Sequence, residues 1–374
     1  MTTTSTSSPS TALVLGGGGA RTAYQVGVLR YLGDAFPQHS FPIITASGTG
    51  ALNATLLAGS NRPWPEATCE VVEAWSTLHP DRVFEPRSLW DLVTQLVRHA
   101  PSPQQSLLNP TPLRTHLNER LAVGEEGSLA GVREALDDGW LDALALTTTH
   151  YASLSTVTWT QGRSLGDWSN ERRRARERAL TVDHVMASMA LALLYPAVSI
   201  DGEWHGAGVG MLHPLAPALR LGADRMLAIS TRSANVGSAE VGEEPYPSPL
   251  QVASILSNTL LLDTLDADAA SMERIDRLAR QVPPDERSGL DPADVLVLQP
   301  SVDLTAVAEA LDVQVGSTLG TVLQYLHGEG TRLPDLLSKL LFAPVYLRRL
   351  LLLGYTDAQG QHDRIARFLK EGPR

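Results

Sequence analysis

Phe41-Pro-Ile-Ile-Thr-Ala-Ser-Gly-Thr-Gly-Ala-Leu-Asn-Ala54 reads as a short apolar strand, a tight turn and the start of a helix. That is the layout of a nucleophile elbow, in which G-x-S-x-G sets a serine on a sharp strand-to-helix turn. Laid on this pattern, Ala46 takes the first glycine, Gly48 the serine and Gly50 the last glycine, with Ser47 and Thr49 on either side. The stretch keeps the frame of a serine hydrolase and lacks the oxygen that attacks. At such a turn only the central residue aims its side chain into the pocket, so Ser47 and Thr49 are not expected to replace it. The turn also strains its central residue by about 1–3 kcal/mol when that residue carries a side chain, a strain that glycine avoids.

A second motif lies upstream. The apolar Ala12-Leu-Val-Leu15 runs into Gly16-Gly-Gly-Gly-Ala-Arg21, and Tyr24, Val28 and Leu29 then recur at helical spacing. A glycine run between strand and helix leaves backbone N–H groups pointing one way, which makes Gly17, Gly18, Gly19, Ala20 and Arg21 a candidate anion site. In acyl transfer such a site holds the oxyanion. A dinucleotide fingerprint fails here because its last glycine falls on Arg21, Thr22 or Ala23, and Ala20-Arg21-Thr22 does not end a P-loop.

Five blocks in order resemble the bacterial patatin-like phospholipases. They are Gly17–Arg21 with Ala23–Leu29; Phe41–Ile44 with Gly50–Ala54; Ala187-Ser-Met-Ala190 with Tyr195-Pro-Ala-Val198; Pro214–Ala218 with Leu221–Asp224 and Leu227–Ser230; and C-terminal pieces at Asp266–Asp268 with Met272–Arg274, Gln299–Leu304 and Leu353–Ala358. The resemblance implies a patatin-like three-layer α/β/α fold, with a mostly parallel central sheet and a helical C-terminal extension. It implies a lipid acyl hydrolase with a serine nucleophile and an aspartate base in an Asp-Gly-Gly or Asp-Gly-Ala motif. The matching stretch is Trp204-His-Gly-Ala-Gly-Val-Gly210, which puts the aspartate position on Gly206 or, with a one-residue deletion, on Ala207. Asp201-Gly202 lies too early and reads as a hairpin turn between Val198–Ile200 and Glu203-Trp204.

With neither dyad residue in place, turnover is expected to fall by roughly a millionfold, leaving only what oxyanion hole and binding supply. The expectation is a pseudoenzyme of the phospholipase family that binds a lipid, fatty acid or other anionic ligand, or a protein partner, in a regulatory role. The alternative is an active phospholipase or acyl-ester hydrolase using displaced residues, with Ser47, Thr49, His205 and His213 as candidates. A partner protein with no pocket would instead show bulky side chains over Gly17–Gly19. No metal and no cofactor are expected.

The 374 residues carry a formal net charge of −11, which argues against broad nucleic-acid binding. A single cysteine, Cys69, allows no internal disulfide. Residues 1–10 read as a flexible polar tail without the features of a signal peptide. The most apolar run, Val185–Ile200, is short of the ~20 residues of a membrane helix. The organisation expected is an α/β domain over 11–235, an acidic loop or linker over 236–250 and a mainly helical region over 251–374 packed on the first. Strands are expected at Leu141–Thr149, Ser153–Trp159, Arg225–Ser230 and Asp294–Leu298, and a charged helix at Glu171–Leu180. The stripe Val252 to Leu278 reads as a packed helix, and Asp266 and Asp268 as solvent-facing or capping. Leu336–Leu353 reads as a helix divided at Pro344, with Gly354 as its stop. Arg172–Arg178 and this helix are the candidate contacts with a lipid surface, on a protein expected in the cytoplasm or at the periphery of an inner membrane.

Overall fold

The computed structural model describes residues 10–86, 106–163, 166–170, 172–192, 194–207, 213–233, 264–283, 286–287, 293–311 and 335–370. The strands are β1 (Thr11–Leu15), β2 (Ile43–Ser47), β3 (Glu85–Pro86), β4 (Leu108–Asn109), β5 (Ala143–His150), β6 (Ser155–Gly162), β7 (Trp168–Ser169), β8 (Arg173–Glu177), β9 (Val198–Ile200), β10 (Glu203–Ala207), β11 (Arg225–Ile229) and β12 (Asp294–Leu298). Among the described residues the main sheet runs β12-β11-β1-β2-β5-β6-β8-β7, with β10 and β9 attached through β5. The run from β12 to β5 is parallel throughout. Its strands are covered on both faces: Leu13 and Leu15 of β1 enter one core, and Ala12 and Val14 the other.

Helices fill both outer layers. On the first face lie α1 (Ala23–Ala35), α2 (Gly50–Gly59), α3 (Val182–Met189), α4 (Asp335–Leu340) and α5 (Pro344–Gly360). On the second lie Ala216–Arg220 and Thr264–Ala279. The expected three-layer α/β/α fold with a mostly parallel sheet and C-terminal helices is observed.

Several local readings differ. Glu171–Leu180 is not a helix: Arg173–Glu177 is the strand β8, parallel to β6, with only Ala175 fully buried. Its charges pair across loops, Arg176 and Arg178 with Asp167, Arg178 with Asp201 and Arg174 with Glu203. Pro344 does divide the C-terminal stretch, as the first residue of α5, but Gly354 lies inside that helix. In the Thr264–Ala279 helix Leu265 and Ala269 are buried, whereas Ile275 and Leu278 are 45% and 63% exposed. Asp268 is buried there, accepting from the Leu215 amide at 2.9 Å and meeting His213 Nδ1 at 2.9 Å. Asp266 accepts from Gln299 at 2.7 Å. The 236–250 linker, the first part of the 252–278 stripe and nearly all of the N-terminal tail lie outside the described residues.

Gly354 stops nothing because it serves a helix crossing. A Cβ there would strike the Tyr24 carbonyl of α1, and one on Gly27 would strike the Leu351 carbonyl of α5. The two glycines let the helices meet backbone to backbone.

Strand β10 is fixed by a buried ring stack. His205 lies 5.3 Å from both His150 and Trp159, and Trp159 packs edge-on against His184 at 4.8 Å. Thr148 Oγ1 accepts from Trp159 Nε1 (2.8 Å) and meets His205 Nδ1 at 3.2 Å. His184 Nδ1 accepts from the Thr181 amide at 3.1 Å, so that nitrogen carries no proton. Among the described residues the Nε2 atoms of His184 and His205 have no hydrogen-bond partner. Burial lowers both histidines to about 4.

Two outcomes are expected. Gly354→Ala should lower the unfolding free energy by about 1–3 kcal/mol through overpacking, although alanine is the better helix former; a urea titration showing stabilisation would contradict the crossing. The depressed histidines stabilise the fold above the unfolded value of 6.5 and lose that contribution as pH falls toward 4. His205→Gln should flatten the pH–stability curve in that window, and an unchanged slope would count against the assignment.

Candidate functional site

The site forms where β2 leaves the sheet. Ser47 is its last residue and pairs with Thr147 of β5. Gly48 then turns at φ +56°, and the Ala51 amide already donates to the Gly48 carbonyl at 3.1 Å. Helix α2 thus starts at once, as an elbow requires. Strand β5 continues three residues past Thr147, with β6 on its other side throughout. The edge that β2 vacates is taken by β10, with Ala207 opposite Thr148, Gly206 opposite Thr149 and His205 opposite His150. Ala207 therefore comes in beside the elbow.

Strand alternation then separates the two candidate positions for the aspartate. Ala207 lines the pocket together with Gly48. Gly206 faces the other way, and a Cβ there would sit 2.6 Å from the Tyr151 hydroxyl.

The glycine loop lies directly on the elbow. A Cβ on Gly48 would come within 2.8 Å of Gly17 Cα. The loop is fastened by hydrogen bonds on every side. Thr231 Oγ1 donates to the Gly17 carbonyl at 2.9 Å, Gln25 Nε2 to the Gly16 carbonyl at 2.9 Å and Thr22 Oγ1 to the Gly19 carbonyl at 2.7 Å. Most telling, the Gly18 and Gly19 amides donate to Thr49 Oγ1 at 3.1 and 2.7 Å. The side chain next to the elbow apex thus takes both of these amides of the candidate anion site. Ala20 and Arg21 are buried, and Arg21 leaves the loop to donate to Ser338 Oγ (2.8 Å) and Thr305 Oγ1 (2.6 Å). It ties the loop to the C-terminal helices.

Over this junction opens a pocket of ≈ 930 Å³, its mouth included. Its wall combines Gly17–Gly19, Ser47, Gly48, Thr49 and Ala207 with apolar side chains such as Leu113, Met186, Leu191, Leu340 and Phe342. Among the described residues the space over Gly17–Gly19 is thus not filled by bulky side chains. Among the described residues this wall has no carboxylate and no histidine; Tyr195 and Lys339 are its titratable members. Burial raises the Tyr195 phenol well above its ordinary range and keeps it neutral. The other candidates lie elsewhere: His205 in the buried ring stack, His213 against Asp268 and Gly50 packed under the end of β1. Among the described residues no cluster of ligating side chains could hold a metal ion, and no helix is long and apolar enough to cross a membrane.

A buried polar relay behind the loop escaped the sequence reading. Asn53 Nδ2 donates to Gln25 Oε1 (3.1 Å) and to the Thr22 carbonyl (3.2 Å), and Trp75 Nε1 donates to Asn53 Oδ1 at 2.7 Å. Gln25 also donates to the Ile229 carbonyl at 3.0 Å. The available signal was a polar residue inside each apolar helix face, Gln25 between Tyr24 and Val26 and Asn53 between Leu52 and Ala54.

Residues 13–218, more than half of the chain, match the family model described as patatin-like phospholipase. No curated protein matches the chain. Among solved structures, human GIVD cytosolic phospholipase A2 is similar with a TM-score of 0.49 at 14% identity, over 97% of this chain and 60% of that one. The same human enzyme in complex with methyl gamma-linolenyl fluorophosphonate gives 0.48 at 16% identity, over 97% and 59%. VipD from Legionella pneumophila gives 0.35 at 11% identity, over 96% and 67%. The chain spans about three fifths of the length of the human enzyme it resembles. On the family match, the chain belongs to the patatin-like phospholipases.

Proposed function

We propose that this chain is a pseudoenzyme of its family, which holds a lipid acyl chain in the pocket without cleaving it and acts by sequestration or regulation. One observation carries the reading. Gly48 and Ala207 line the same pocket, Gly206 stands next to Ala207 on β10, and none of these candidate positions for the serine and the aspartate carries a functional group. The chemical consequence is direct: with no hydroxyl at the apex and no carboxylate beside it, nothing generates a nucleophile there. A mostly apolar wall with a few polar groups at one end is suited to a hydrocarbon chain.

The rival reading is a hydrolase with displaced residues. Ser47 supplies a hydroxyl on the wall and Lys339 a nitrogen base, whereas Thr49 is held by the loop amides. Ester turnover by the wild type that is lost on Ser47→Ala or Lys339→Met would establish that rival.

Contact with an anionic lipid surface fits the same reading. Leu154, at the tip of the β5–β6 hairpin, is 76% exposed, and Trp204 on the adjoining strand is 49% exposed. Arg172 and Arg173 lie beside that tip, since the Thr156 amide donates to the Arg172 carbonyl and Arg173 pairs with Thr156. Among the described residues neither arginine has a carboxylate partner. Interfacial aromatics flanked by cations favour an anionic bilayer.

Two experiments address this function. Gly48→Ser with Ala207→Asp should raise p-nitrophenyl ester hydrolysis about a hundredfold over wild type, with the backbone at Gly17 shifting because the new Cβ would stand 2.8 Å from its Cα. Gly48→Ser with Gly206→Asp should stay silent because that side chain meets Tyr151; equal activity of the two would refute the placement of Ala207. In vesicle co-sedimentation, Leu154→Asp with Arg172→Glu should reduce binding to phosphatidylglycerol vesicles several-fold, and unchanged binding would remove the hairpin from the account.

A further inference from the structure

We infer that Thr49 determines which lipid heads the pocket accepts, by placing its own hydroxyl where a ligand's anionic oxygen would sit. The inference rests on the reading of the pocket as an acyl-chain site and adds the chemistry of the head. The glycine loop offers its amides to one oxygen atom, and Thr49 Oγ1 already holds two of them, Gly18 at 3.1 Å and Gly19 at 2.7 Å. A carboxylate entering the pocket must displace that hydroxyl and break both bonds before it gains its own. A fatty alcohol or a neutral ester has no such requirement. It keeps the apolar contacts of the wall and leaves the internal bonds intact.

Three features hold the hydroxyl in this place. Thr49 is the residue after the turn, so its backbone is set by the φ +56° of Gly48 and by the helix that starts behind it. The loop cannot drift away, because Thr231, Gln25 and Thr22 fasten its carbonyls. Gly17 Cα packs on Gly48, which keeps loop and elbow in register. Tyr195, an uncharged phenol at neutral pH, is a further wall residue compatible with an uncharged head. Lys339 is also among the lining residues, so the test must separate any pull of its charge on a carboxylate from the effect of Thr49.

Calorimetric titration with dodecanoate and 1-dodecanol makes that separation. Wild type is expected to bind the alcohol at least as tightly as the acid. Thr49→Val frees two amides, and it should strengthen dodecanoate binding about tenfold or more, the worth of one or two hydrogen bonds to a charged group, while the alcohol changes less than about twofold. Thr49→Ser retains a hydroxyl and should behave as wild type. Should the valine variant fail to fold, Thr49→Ala gives the same comparison. Dodecanoate binding that is unchanged or weaker in the valine and alanine variants would overturn the inference while leaving the pocket as a lipid site. A wild-type preference for dodecanoate that disappears in Lys339→Met would overturn it in favour of the lysine. Failure of every protein to bind either compound would overturn both the inference and the lipid reading beneath it.

Discussion

Strand β5 is longer than the partner it shares with the parallel sheet. β2 pairs with it as far as Thr147 and then turns away at Gly48, leaving the edge of Thr148–His150 without a strand on that side. Buried backbone groups require partners, and β10 supplies them by running antiparallel from Glu203 to Ala207. The site follows from that replacement. The elbow exists because β2 must leave, and Ala207 is its neighbour because β10 must fill the gap. The ring stack of His150, His205, Trp159 and His184 secures β10 in this register. A slip of one residue would exchange Ala207 for Gly206 at the pocket wall and turn every side chain of the strand to the opposite face.

Glycine at the apex has a further physical consequence. Where position 48 carries no side chain, the loop can rest with Gly17 Cα against the elbow, close to where a Cβ would otherwise stand. The same approach brings the Gly18 and Gly19 amides within reach of Thr49. The junction is thereby satisfied internally, with Gln25, Asn53 and Trp75 bracing it from the core. An oxyanion site built for catalysis has to keep its donors ready for a charge that develops on the substrate. Here two of those donors are spent within the fold.

The elbow and the glycine loop were legible in the chain because strand, turn and helix follow one another locally, and their residue types are dictated by local geometry. Position 207 was not separable from 206, since register is a property of two strands and β5 lies more than fifty residues away. Thr49 was taken to point elsewhere, because a turn pattern says nothing of where the facing loop will lie. Arg172–Arg178 suggested a helix through its i,i+4 charges, but the carboxylates that pair with its arginines, Asp167, Asp201 and Glu203, lie outside the segment. Gly354 looked like a helix stop, and only the crossing of α1 over α5 shows why a glycine stands inside a helix.

The most direct test is intact-mass analysis of the wild-type protein after exposure to an alkyl fluorophosphonate, which phosphonylates an activated hydroxyl. No adduct is expected at the elbow, even under conditions in which Gly48→Ser with Ala207→Asp is labelled. A stoichiometric adduct mapped to Ser47 or Thr49, accompanied by ester turnover, would contradict it.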